Sequence, residues 1–191
     1  MRTWASWLVR RLLRLVGWAV QWRYARRKPG PVARVLVVAV SGIGNTLMLF
    51  PFLHHLKQAY PGAEVVMWLS SPGIRTMLEG YVLVDRFVMS GRLSAWRLDQ
   101  WWKLVLDLRR HHFDLLLAPH SIRGFLPCLI VFLAGIGKTR AGFNWKGRGC
   151  LYNVQLVAPL PYHEIDNNLL LLEKLTGQRC RGGENHPRLR V

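Results

Sequence analysis

Two apolar runs constrain this chain more than any other feature: residues 35–40 (VLVVAV) and 113–118 (FDLLLA). A strand with one solvated face alternates apolar and polar residues. These runs do not, so they read as strands buried on both faces, the situation of a parallel sheet covered by helices. Helical and strand-like patterns alternate around them. A helix over 46–60 stops at Pro61-Gly62, and Glu64–Leu69 is a second strand. A short helix over 71–79 and a weaker strand over Arg86–Met89 follow. Further on, the pattern gives helices over 96–111, 125–134 and 162–175, the last ending at Gly177, and short strands over 139–143 and 152–157. This order predicts an α/β fold, a Rossmann-like doubly wound parallel sheet with right-handed crossovers. Ligands of such sheets bind beyond the carboxyl ends of the strands. Three loops are expected there: 41–45, 70–73 and 119–124.

The charge is uneven. Of 191 residues, 27 are Lys or Arg and 10 are Asp or Glu, a formal net charge of +17. Residues 1–34 hold nine Arg/Lys and no acid. Such a balance points to an anionic partner. On a helix at 100° per residue, Ser6, Arg10, Arg14, Gly17 and Gln21 share a narrow wedge. Trp4, Trp7, Trp18 and Trp22, with several Leu and Val, cover the wide opposite arc. Indole rings suit a water–lipid boundary, and Arg26 and Arg27 follow at once to meet anionic headgroups. The segment therefore reads as a membrane-surface helix, with Trp4, Trp7, Arg10, Arg14, Trp18, Trp22, Arg26 and Arg27 as its lipid contacts. Packing of that helix on its own domain or on a partner is the alternative. Arginines at 10, 11 and 14 argue against a span or a cleaved signal. No nucleic-acid signature accompanies the charge, so no nucleic-acid partner is expected. Cys128, Cys150 and Cys180 have no metal-ligand spacing and read as free thiols, with no metal site.

The stretch Ser41-Gly42-Ile43-Gly44-Asn45-Thr46 is the most informative motif. Glycines after a first buried strand let backbone N–H groups approach a ligand, and the helix that follows favours an anion at its start. It is not a GxGxxG fingerprint, because residue 47 is Leu, and Gly137-Lys138-Thr139 is not a P-loop, because residue 132 is Phe. Taken alone, the turn serves equally as a tight strand-to-helix connection.

The string VLVVAVSGIGNTLMLFPFLHHLKQAYPGAEV resembles the opening of glycosyltransferase family 9, the lipopolysaccharide heptosyltransferase group. The shared order is a hydrophobic strand, a small-x-x-Gly-Asp turn, a helix with an early Pro, then YP-A and a second strand. LLLAPHSIRGF resembles the family's fourth-strand end, KTRAGF its Arg-x-Gly-aromatic strand, and HEIDNNLLLL its His-x-x-x-Asn helix. The resemblance implies the N-terminal half of a GT-B fold, in which two Rossmann-like domains face each other across a cleft. In that family the N-terminal domain holds the acceptor, commonly a phosphorylated lipid A–sugar core at the cytoplasmic face of the bacterial inner membrane. The C-terminal domain holds the nucleotide sugar, which is a substrate, and no metal or other cofactor is needed. An Asp base drives inversion at the sugar carbon. Carried onto this chain, the resemblance places Asn45 at the position of that base. It makes Ser41, Gly42, Gly44, Thr46, Ser121 and Arg123 acceptor contacts, with Arg75, Arg140 and Arg148 as weaker basic candidates and His120 as a replacement base.

Two departures qualify the expectation. An amide cannot accept a proton at neutral pH, so Asn45 cannot be a general base. The resemblance also stops near Gly177, where a full member continues for roughly its own length again. The expected organisation is residues 1–31 as basic helix and hinge, 32–177 as the acceptor-side domain, and 178–191 as a truncated interdomain linker. Two functions are compatible with it: the acceptor half of an inverting glycosyltransferase acting on a lipid-linked saccharide, or a non-catalytic membrane-surface module that keeps the fold.

Overall fold

The computed structural model describes residues 31–91, 97–158 and 161–180, so the expectations for the first 30 residues and for 181–191 lie outside the described residues. Six strands form one parallel sheet: β1 (Arg34–Ala39), β2 (Glu64–Leu69), β3 (Arg86–Met89), β4 (Leu115–Ala118), β5 (Thr139–Asn144) and β6 (Val154–Val157). Their order across the sheet is β3-β2-β1-β4-β5-β6. The chain winds outward from β1 to β3, returns beside β1, and winds outward again to β6. The doubly wound reading of the sequence is the observed fold.

The helices are α1 (Ile43–Leu47), α2 (Phe50–Ala59), α3 (Pro72–Leu78), α4 (Leu98–Arg110), α5 (Phe125–Ala134) and α6 (Glu164–Thr176), with a 3-10 turn at Arg148–Leu151. They cover both faces of the sheet. Val35, Val37 and Ala39 enter one core with Phe52, Leu53 and Leu56 of α2, Ile74 and Leu78 of α3, and Leu171 and Leu172 of α6. Leu36 and Val38 enter the other with Leu104, Val105 and Leu108 of α4 and Ile130, Val131 and Phe132 of α5. Because β1, β2 and β4 each feed two cores, their sequences carry no polar alternation. No helix among the described residues is long and apolar enough to cross a membrane.

The single helix expected over 46–60 is two helices, and residues 43–45, expected as loop, form the first turn of α1. Pro51 explains the break. It has no N–H to offer the carbonyl four residues back, and its ring crowds that carbonyl. The chain tightens instead, with Met48 N–H on Gly44 O and Leu49 N–H on Thr46 O, before α2 begins with Pro51 in its first turn. Strand β4 starts at Leu115 rather than 113, because Asp114 turns its carboxylate to the amides of Ala33 and Arg34. The strand expected over 152–157 is shorter, Val154–Val157, and follows a 3-10 turn over Arg148–Leu151. The last helix starts at Glu164, where His163 caps it by accepting from Ile165 N–H, and it ends at Gly177 in the left-handed region (φ 74°).

Candidate functional site

Where β1 and β4 lie side by side, the chain leaves them in opposite directions across the sheet. That junction is the switch point at which doubly wound sheets bind ligands. Two of the three sequence-selected loops meet there: the Ser41 hydroxyl lies 3.3 Å from that of Ser121. Ser70, at the end of β2, donates to Val40 O at 3.1 Å and fixes the neighbouring strand end.

Gly42 and Gly44 are exposed at this rim, and a Cβ on either would meet nothing within 4 Å. The space before the turn is open, as an approaching ligand requires. Asn45 is half-buried beside them in the first turn of α1. Thr46 departs from its expected role. It is fully buried, and its hydroxyl donates to Gly42 O at 3.3 Å. Its oxygen closes the turn from inside, so the contacts available here are the half-buried Ser41 and the exposed Gly42 and Gly44.

The β4 loop builds a denser arrangement. His120 is buried, and every polar backbone group it has is engaged. Its N–H donates to Asn168 Oδ1 at 2.7 Å, and its carbonyl accepts from Trp145 Nε1 at 3.1 Å. Its ring packs edge-on to Phe143 and tilted against Trp145, with Nδ1 2.9 Å from Glu164 Oε2. Arg123 is exposed, yet it is not loose. Its guanidinium lies 4.7 Å from the Trp145 ring centroid and 3.8 Å from Glu164 Oε2. Arg148 donates to the Arg123 carbonyl, so two guanidinium-bearing side chains share this corner. Trp145 supplies a flat face and Glu164 a fixed charge that hold the Arg123 fork in place. Among the described residues, His120 Nε2, Glu164 Oε1, Asn167 Oδ1 and Asn168 Nδ2 are buried here without a hydrogen-bond partner. Buried polar atoms are normally bonded, so four together mark a polar corner rather than an ordinary core.

Two weaker candidates fall away. Arg140 is wholly buried, with Nε on Leu151 O at 3.0 Å, a terminal nitrogen on Gly135 O, and its guanidinium 5.1 Å from the Phe132 ring centroid. It ties loop carbonyls together inside the domain and offers nothing to a ligand. Arg75 pairs with Glu79 one turn along α3, a solvated contact. Sequence reading missed Trp145 and Glu164. Each acts through tertiary contact, Glu164 across 44 residues from His120, and no local spacing announces that.

The sheet defines a Rossmann-like lobe with its topological switch point at the β1–β4 junction. Solved structures carry the same lobe. A glycosyl transferase of family 9 from Veillonella parvula superimposes with TM-score 0.62 at 13% identity, covering 79% of this chain and 44% of that one. Escherichia coli heptosyltransferase WaaC with ADP gives 0.61 at 18% identity, covering 78% of this chain and 49% of the other. The same enzyme with ADP-2-deoxy-2-fluoro heptose gives 0.56 at 17% identity. The chain thus spans about half the length of these glycosyltransferases. No family profile and no curated protein matches its sequence.

Proposed function

We propose that this chain is the acceptor-binding half of an inverting, heptosyltransferase-like glycosyltransferase, working from a nucleotide-sugar donor on a phosphorylated, lipid-linked saccharide at the cytoplasmic face of a bacterial inner membrane. One observation carries the reading: an exposed, braced Arg123 two residues from Ser121, which in turn touches Ser41 of the open glycine turn. A fixed guanidinium fork suits a phosphate, and glycines with free space admit a sugar against the backbone. The likeness in fold to family 9 structures adds support.

In this reading Ser41, Gly42 and Gly44 line the sugar and Arg123 meets the phosphate. Asn45 stands where the acceptor hydroxyl would lose its proton, and its amide can hydrogen-bond that hydroxyl without taking the proton. That chemistry favours the second reading for part of the protein's range: a membrane-surface module that binds the same acceptor and transfers nothing.

The test is binding of a phosphorylated lipopolysaccharide-core saccharide in solution, beside its dephosphorylated form. Arg123→Ala should weaken the phosphorylated ligand by about tenfold to a hundredfold, the loss of a charge-assisted hydrogen bond, and leave the other unchanged. Equal affinity of both proteins for both ligands sinks the proposal. The two readings part on transfer. Incorporation of sugar from nucleotide-sugar donors by the natural gene product supports the enzyme, and intact binding without incorporation supports the module.

A further inference from the structure

Helices α4 and α5 lie side by side over one face of the sheet. Their inner residues fill the core, and their outer residues are not what an exposed surface carries. On α4, Leu98, Trp102 and Leu106 are each more than half exposed. Their spacing of four places them in one stripe along the helix. Helix α5 reads FLPCLIVFLA, with no charged, amide or hydroxyl side chain in ten residues. Phe125 at its start and Ile136 just beyond its end are exposed, and Leu126, Leu129 and Leu133 between them are only half-buried. An ordinary surface helix turns a polar face outward, and apolar residues exposed along neighbouring helices mark a contact.

The charges around the stripe select what it contacts. Arg97, Lys103, Arg109 and Arg110 flank it on or beside α4, against Asp99 and Asp107, and Asp99 is already paired with Arg97 at 3.4 Å. The border is therefore basic. The chain also enters the domain at this side: Arg34 donates to His111 O at 3.0 Å, at the carboxyl end of α4. Residues 1–30, with eight Arg/Lys and no acid, lead into that point. Seating that basic segment, or a second copy of this face, on α4 would set like charge against like. An anionic bilayer removes the conflict, and Trp102 suits the headgroup level.

We propose that the outer face of α4 and α5 lies on an anionic lipid surface, with Leu98, Trp102, Leu106 and Phe125 in the interface and Lys103, Arg109 and Arg110 at the headgroups. This goes beyond the acceptor reading and stands without it, because acceptor binding through Arg123 is measured with no vesicle present.

The experiment uses the full chain and phosphatidylcholine vesicles, with and without a third of phosphatidylglycerol. The triple variant Leu98→Ser, Trp102→Ser, Leu106→Ser should partition at least about tenfold more weakly onto the anionic vesicles, with an unchanged melting temperature, because it removes apolar contact and no core residue. An unchanged partition overturns the proposal. In that event a lower melting temperature would identify the chain's own first 30 residues as the occupant, and a dimer-to-monomer shift a second copy. Should the triple variant fold poorly, Trp102→Phe decides. Brominated lipid should quench wild-type fluorescence more than that of the variant, and equal quenching overturns the proposal.

Discussion

At the amino end of the sheet one carboxylate ties three segments together. Asp114 Oδ2 accepts from the amides of Ala33 and Arg34 at 3.0 and 3.1 Å, and Oδ1 faces Lys138 Nζ at 3.3 Å. Burial pushes this carboxyl up, but the two amides and the ammonium outweigh it and hold it below its ordinary value. A carboxyl depressed in the folded state stabilises above its unfolded value, about 3.9, and loses that stabilisation as pH falls through the folded one. Asp114→Asn should therefore destabilise the fold at pH 7, by about 1 kcal/mol once solvent screening of this partly exposed carboxylate is allowed for, and its unfolding free energy should fall less steeply below pH ~4 than that of the wild type. Parallel curves for the two proteins across the acid limb would disprove the role. At this same scale the candidate site was half legible: turn glycines keep a fixed local spacing, so Gly42 and Gly44 could be expected at the rim where the structure exposes them, and the family resemblance singled out Arg123, which is exposed as well. Arg140 stood only as a weaker basic candidate than Arg123, and the fold shows why they differ: one is buried under Gly135 and the other braced on Trp145.

Elements were legible wherever hydrophobic period set them and blurred wherever a single side chain intervened. The strands emerged from their apolar runs, whereas the split between α1 and α2 depends on Pro51, and the start of β4 on Asp114. Strand β5 carries a further case. Gly142 sits beneath the buried Tyr152 ring, and a Cβ there would lie 2.6 Å from it. The ring belongs to the segment entering β6, so this contact sets how closely that edge strand's approach packs on β5. Burial raises the Tyr152 phenol well above its usual value, as expected of a fully buried ring. Gly142→Ala should destabilise by about 1–3 kcal/mol through overpacking, with Gly142→Ala in a Tyr152→Phe background no better, because the clash is with ring carbons. Chemical denaturation measures both, and a neutral Gly142→Ala would show that the ring can retreat.

For the whole molecule the net charge of +17 is the governing quantity. If the first segment meets lipid as its sequence suggests, replacing Arg10, Arg14, Arg26 and Arg27 with Gln should weaken binding to phosphatidylglycerol vesicles by about a hundredfold or more, at roughly 1 kcal/mol per charge. Binding that survives all four replacements would leave those arginines without a role at the bilayer. Tertiary architecture was readable from the order of strands and helices, since crossover handedness leaves few alternatives. The polar corner around His120 was not, because it draws on β4, β5 and α6, which only folding brings together.

The clamp on Ala33 and Arg34 has a consequence for posture. It pins the incoming polypeptide to the lower edge of the sheet, whereas the glycine turn opens at the upper edge, a strand's length of about 20 Å away. If the preceding residues met lipid, a domain standing upright above them would hold its mouth that far from the headgroups, out of reach of a short glycolipid. On the two proposals made above, a domain reclining on its α4–α5 flank would bring the mouth down to the height of the bilayer and turn it sideways, where a sugar projecting from the membrane could slide in without leaving its lipid.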